Sequence, residues 1–256
     1  MISINTNYGG IFAAKAASQS QAAVDTAMER LSSGSKINYA KDDSAGVAIA
    51  TRLTAEIEGL SAASKNAADA QSLLDTAEGG LQETHTLLLR MRELAVQSAN
   101  GTLTDADRDH TDAEFQQLSA EITRISSYTT WAGQKLLDGT VTSGFTFQVG
   151  EGASQVITVS IAGMGAGDLN VSSNDLQSRT NANTAIGALD TAIETVSTER
   201  GKLGAYSNRL TSTMNNLDQI NINLSASKGR IADADFAAET GNLAKNQILQ
   251  QAATAM

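Results

Sequence analysis

The stretch LTAEIEGLSAASKNAADAQSLLDTAEGGLQETHTLLLRMRELA, from Leu53 to Ala95, decides how this chain folds. Read in alternating steps of four and three residues, it places Leu53, Ile57, Leu60, Ala67, Leu74, Leu81, Leu88 and Ala95 on one seam. Ser64, Gln71, Glu78, His85 and Arg92 fall on the same stripe as polar exceptions. No proline interrupts the run, and the glycine pair Gly79-Gly80 is its local weak point. A helix of that length runs roughly 65 Å at about 1.5 Å per residue and cannot bury the stripe on itself. A heptad-like seam requires a partner helix.

That partner lies in the other half of the chain. Ile186, Leu189, Ile193, Val196, Leu203, Leu210, Met214, Leu217, Leu224 and Ile231 repeat at the same spacing, with Arg200, Ser207, Asn221 and Lys228 as polar members. Two rods with the chain reversing between them predict an antiparallel pair. The expected fold class is mainly α: an elongated, antiparallel, coiled-coil-like rod built from the N- and C-terminal halves, with a small β-hairpin. An ordinary four-helix bundle uses shorter helices.

Composition supports this reading. The 256 residues contain no proline, where an average of about 5% would give roughly a dozen. Continuous helices need that absence, because proline deletes a backbone donor and clashes with the preceding turn. Cysteine is also absent, which removes disulfide and thiol chemistry. A net charge of −10 without a basic patch argues against nucleic acid. No apolar run is long enough to span a bilayer, and Met1-Ile2-Ser3-Ile4-Asn5 lacks the basic and apolar regions of a cleaved signal peptide.

Outward from the rods, residues 5–33 read as a first amphipathic helix with Ile11, Val24, Met28 and Leu31 on its apolar face, closed by Gly34 as C-cap. Asp42-Asp43-Ser44 offers N-cap chemistry to the first rod, which ends at the turn dipeptide Asn100-Gly101. Thr104, Asp105 and Asp107 open a shorter helix carrying Phe115, Leu118, Ile122 and Ile125. The period then changes to two at Phe145, Phe147, Val149, Ile157, Val159 and Ile161, predicting a hairpin over about 144–161. Residues 163–183, rich in Gly, Ser and Asn, read as a polar, surface-exposed connection. An alanine-rich helix from about Asp233 to Met256 closes the chain.

Nothing in this pattern points to catalysis. Asp42 and Asp43 are explained by capping. Asp105, Asp107 and Asp109 superficially resemble a calcium loop, but His110 occupies the glycine position and Gln116 that of the terminal glutamate. His85 and His110 lack metal-ligand spacing. No catalytic residue, metal or cofactor is expected. Trp131 reads as a core or interface residue, and the Ser/Thr-rich span 140–184 reads as a solvated loop that could accept O-linked glycans.

Four segments resemble bacterial flagellins: Met28 to Gly34 with Ile37-Asn38 and Ala40 to Gly46; Arg90 to Gly101; Arg230 to Phe236; and Gln247 to Ala252. The resemblance covers about residues 3–140 and 183–256, in the family's order. It implies an inner layer of terminal helices, residues 1–44 with 233–256, and an outer layer over 45–232 that carries the hairpin and a short variable connection, 163–183. Most of the family carries extra outer domains there, so the chain is similar to a minimal flagellin.

The resemblance further implies a structural subunit of the bacterial flagellum, exported without signal cleavage through the flagellar type III apparatus. Expected partners are copies of itself, the export apparatus, a secretion chaperone, and filament cap and junction proteins. By the same resemblance, Arg90, Leu94 and Glu114 match positions recognised by Toll-like receptor 5. Leu31, Ile37, Leu53, Leu60, Ile231, Ile248 and Leu249 are expected at filament-packing positions. Family members usually continue past the position of Met256 for roughly four more helical turns; by that comparison the sequence stops mid-helix, whether trimmed or naturally short. A hook–filament junction protein, which shares the terminal architecture, is the alternative, disfavoured by the motif density of Arg90 to Gly101.

Overall fold

A computed structural model describes residues 7–141 and 143–255. In chain order the elements are α1 (Tyr8–Ser33), α2 (Ser44–Ser98), α3 (Asp105–Tyr128), β1 (Thr130–Trp131), β2 (Gln134–Lys135), β3 (Phe145–Gln148), β4 (Val156–Val159), α4 (Arg179–Ala232) and α5 (Phe236–Ala255). The protein is mainly helical, as the two seams predict. It divides into two compact units, Met1–Gly59 with Gln219–Met256, and Leu60–Asp218.

In the first unit α1 starts where Asn7 Oδ1 accepts the Gly10 N–H at 3.0 Å, and stops at Gly34, whose φ of 71° is the left-handed cap expected of that residue. Residues 5 and 6 of the predicted helix, and Met256 of the closing one, lie outside the described residues. α1 packs antiparallel against α5: Arg30 pairs with Glu239 at 3.3 Å, and Gln250 bonds Gln21 further along. Beyond the helix ends, Lys36 N–H donates to Ala232 O at 2.7 Å and Ala234 N–H to Gly34 O at 2.9 Å. The apolar face of α1 is narrower than predicted. Val24 and Ala27 are buried and Leu31 is half-buried, but Ile11 and Met28 stand in solvent. Two alanine-rich helices cover little of each other, so only residues near their line of closest approach are shielded.

Asp43 performs the expected capping. Its Oδ1 accepts the Gly46 N–H at 2.9 Å, while Asp42 Oδ2 accepts the N–H groups of Asn38 and Tyr39 at 3.3 and 3.0 Å.

The second unit holds the main core, where α2 and α4 pack against each other. Arg92 meets Asp190 at 2.6 Å and Arg200 meets Glu78 at 2.7 Å, a descending match that makes the helices antiparallel. The seam differs from the one predicted. From Leu60 onward the buried line of α2 runs Leu60, Ala63, Ala67, Ala70, Leu74, Ala77, Leu81, Thr84, Leu88, Met91, Ala95 and Ser98, an alternation of three and four, with Leu73 and Leu94 buried beside it. The supposed polar exceptions Ser64, Gln71, Glu78, His85 and Arg92 sit one residue off this line and are half-buried. On α4 the buried line is Ala182, Ala185, Leu189, Ala192, Val196, Glu199 and Leu203, then Leu210 and Leu217; Ile186 and Ile193 flank it, half-buried. Small residues fill alternate seam positions, and their weak hydrophobicity hid half of each seam.

α3 lies against this pair through Phe115 and Ile122, both fully buried, and through the buried polar residues Arg108, Asp112, Ser119 and Ser126. The hairpin forms where predicted, with Phe145 opposite Val159 and Phe147 opposite Ile157, and Asn66 Nδ2 donates to Gln148 O at 3.0 Å. A second hairpin, β1 with β2, was not expected. Its two-residue turn is Ala132-Gly133, both at positive φ, and alanine there gives no recognisable turn signature. The connection after β4 is also unlike the prediction. Met164, Ala166, Leu169, Val171 and Leu176 are buried, and α4 begins at Arg179, within the presumed loop. Its backbone is satisfied locally, with Val171 N–H on Ala166 O at 2.9 Å, and from α3, where Asp112 Oδ1 accepts the Leu176 N–H at 2.8 Å.

Candidate assembly and receptor surfaces

Two surfaces stand out, one in each unit. On the second, the turn from α2 to α3 is tied by Arg108, 7% exposed, whose Nε donates to Ser98 O and whose second guanidinium nitrogen donates to Asn100 O, both at 3.0 Å. Ser98 O is the last carbonyl of α2, and Asn100 O lies just beyond it, where a cation is favoured by the helix dipole. α3 then opens with a capping box: Asp107 N–H donates to Thr104 Oγ1, and the Asp107 carboxylate accepts the Thr104 N–H.

This turn brings Glu114 of α3 alongside Arg90 of α2. Arg90 donates to Glu114 Oε1 from Nε at 2.9 Å and from a terminal nitrogen at 2.8 Å, and to Glu93 Oε2 at 2.7 Å. Glu93 first and then Glu114 hold the guanidinium pKa above its ordinary value. The cluster is solvated, so it fixes the orientation of a charged surface more than it holds the fold. Glu93 was missed in the sequence, although its three-residue spacing from Arg90 signals the contact. Leu94 is placed differently from its two companions. At 2% exposure it belongs to the core beneath them, and the exposed apolar neighbours are Leu89 and Val96.

The first unit carries an exposed apolar surface. Tyr8, Ile11, Phe12 and Met28 project from α1, and Phe236, Ile248 and Leu249 from α5, with Phe12 at 75% and Ile248 at 65% exposure. Of the other residues expected at packing positions, Leu31, Ile37 and Ile231 are half-buried, and Leu53 and Leu60 are buried within the subunit. Among the described residues no group of His, Cys, Asp and Glu could hold a metal ion, and no helix is long and apolar enough to cross a membrane.

The N-terminal helical region of bacterial flagellins matches residues 4–142, and their C-terminal helical region matches residues 186–256. This chain belongs to the bacterial flagellins. It is 44% identical to the flagellin of Halalkalibacterium halodurans over 90% of this chain and 85% of that one. It is 41% identical to the flagellin of Bacillus subtilis over 99% and 94%, and 39% identical to the flagellar filament 33 kDa core protein of Treponema phagedenis over the same shares. The crystal structure of Bacillus cereus flagellin aligns with a TM-score of 0.54 at 35% identity, covering 60% of this chain and 88% of that one. A Vibrio parahaemolyticus structure described as a flagellar hook-associated protein aligns at 0.65 over 75% and 100% of the two chains; its 18% identity speaks for the fold alone.

As a flagellin, the protein is a structural, non-enzymatic subunit that polymerises with its own copies into the filament of the extracellular bacterial flagellum.

Proposed function

We propose that this flagellin makes its filament contacts chiefly through the helix pair α1–α5, and that the free subunit presents Arg90 and Glu114 to Toll-like receptor 5. The observation that carries the first reading is the set of large apolar side chains left in solvent on α1 and α5, a pattern that marks an interaction surface rather than a finished exterior. Ile248 and Leu249 act as direct contacts. Leu31, Ile37 and Ile231, half-buried, lie toward the opposite end of the α1–α5 pair, and Leu53 and Leu60, buried on α2, support packing from within the subunit rather than at its surface. The type III export apparatus, a secretion chaperone, and the cap and junction proteins complete the proposed partners, on the strength of family membership.

For the receptor, the support is the Arg90–Glu93–Glu114 cluster: an oriented guanidinium flanked by carboxylates and by exposed Leu89. Leu94 contributes by setting the height of that face from below. Two experiments test these readings. Phe12→Ser with Ile248→Ser in the full chain should abolish seeded polymerisation, seen by electron microscopy, while the exchange protection of residues 60–218 stays unchanged; normal filaments would refute the first. Arg90→Ala should lower receptor signalling by the monomer in reporter cells, and an unchanged response would refute the second.

A further inference from the structure

Asn100-Gly101 is the single Asn-Gly dipeptide in the sequence, and it sits in the turn that Arg108 ties. Both residues are exposed, and an added Cβ on Gly101 would meet nothing within 4 Å. Among the described residues, the Gly101 N–H donates no hydrogen bond. The Asn100 side chain is folded back over its own turn, with Oδ1 accepting the Thr102 N–H at 3.2 Å. An unhindered backbone nitrogen thus follows directly on an asparagine side chain held close to the main chain.

We propose that Asn100 is a site of spontaneous deamidation by water, at a rate governed by Arg108. The Gly101 nitrogen attacks Cγ of Asn100, an N–C bond closes a five-membered succinimide, and the Cγ–Nδ2 bond breaks. Ammonia departs with the proton lost from the Gly101 nitrogen. Water then adds to one of the two ring carbonyls and leaves either aspartate or isoaspartate. The net change is one water consumed and one ammonia released, with no redox step.

Arg108 is the positioning residue. Closing the ring draws the Gly101 nitrogen onto Cγ, and any turn of the Asn100–Gly101 peptide plane in that step carries Asn100 O away from the guanidinium that binds it at 3.0 Å. The same guanidinium is fixed at Ser98 O and on Asp105, and it is buried, so it cannot follow the moving carbonyl. The native turn therefore restrains a reaction that its sequence invites. Its products alter the turn: aspartate places a carboxylate at the negative end of α2, and isoaspartate reroutes the main chain through Cβ, which displaces the carbonyl that Arg108 holds.

The test is ageing of the purified full chain at constant temperature in mildly alkaline buffer, with peptide mass mapping and isoaspartate detection over time. Asn100 should convert ahead of every other asparagine. Gly101→Ala should slow it several-fold, and Arg108→Lys, which keeps the charge and loses the fork, should speed it several-fold with the circular dichroism spectrum unchanged. Wild-type chain unfolded in urea supplies a second reading of the restraint and should react faster than the folded chain. Asn100 still intact when other asparagines have converted would overturn the site. Equal rates in folded and urea-unfolded chain, or in a folded Arg108→Lys variant and wild type, would overturn the control by Arg108.

Discussion

Gly79 and Gly80 are adjacent in α2 and invite the same substitution with opposite consequences. Replacing an exposed mid-helix glycine by alanine stabilises by about 1 kcal/mol, because alanine loses less conformational freedom on folding. Gly79 meets that condition, since an added Cβ finds nothing within 4 Å. At Gly80 the added Cβ would lie 2.8 Å from Leu137 Cδ1 and 3.0 Å from Thr129 Oγ1. The first neighbour is enclosed in the core and the second is already engaged in a hydrogen bond. Leu137 is fully buried and its carbonyl accepts from Ser126 Oγ at 2.6 Å and from the Met164 N–H at 2.8 Å, while Thr129 Oγ1 is bonded to Ile125 O at 2.7 Å. Overpacking of that kind costs about 1–3 kcal/mol, which cancels or exceeds the helix gain. Gly79→Ala should therefore gain about 1 kcal/mol and Gly80→Ala should lose up to about 2 kcal/mol. For a unit of this size each kcal/mol moves the melting temperature by about 2–4 °C. Thermal melts of the full chain, followed by exchange protection in residues 60–218, separate the two. Stabilisation by both alanines would refute the claim that Thr129, just before β1, and Leu137, just after β2, press on α2 at Gly80.

Three further outcomes follow from the same packing. Ala77→Leu adds apolar surface to a fully buried seam position yet should destabilise by about 1–3 kcal/mol in urea titration, because its alternation with Leu74 and Leu81 leaves no space. Asp112→Ala removes the acceptor for the Leu176 N–H and should cost about 1–3 kcal/mol, with faster amide exchange localised at residues 174–178. Hydrogen bonds from the Thr104 hydroxyl and then its backbone N–H hold the Asp107 pKa below the ordinary aspartate value. A carboxylate depressed in the folded state contributes stability above its unfolded pKa and loses it as the pH falls through the folded one. The first turn of α3 should thus fray on acidification below the usual aspartate range, and an Asp107 carboxyl signal titrating at the ordinary value by NMR would contradict the capping box.

The helical class, the pairing of the two halves and the β3–β4 hairpin were legible because leucine and β-branched residues carry strong periodic signals. Leu60, Leu74, Leu81 and Leu88 marked one half of the α2 seam correctly. The other half was misplaced by one residue, since Ala63, Ala70 and Ala77 contribute little hydrophobicity and only their close fit against a partner makes them core. The segment 163–178 misled in the opposite sense. Its glycines, serines and asparagines read as loop, yet Met164, Leu169, Val171 and Leu176 are spaced to enter the core once α3 supplies Asp112 and Gln116 as hydrogen-bond partners. Around Arg90, the residues Arg90 and Glu114 were legible as positions but their contact was not. The burial of Leu94 depends on which side of α2 faces α4 and α3, and the displaced seam concealed that.

The pairing of α1 with α5 has a temporal consequence. Arg30 and Glu239 are separated by 209 residues, and Gln21 and Gln250 by 229. A ribosome delivers the amino end first, so α1 waits without its mate until α5 has been made. Closing so long a loop carries an entropic cost that local helix formation does not recover, and contacts this distant in sequence form slowly. The segment 60–218, whose strands and helices are nearer neighbours in sequence, can complete its core in the meantime. The first-made helix is therefore among the last to be secured, and every nascent copy passes through an interval in which its two ends are still strangers.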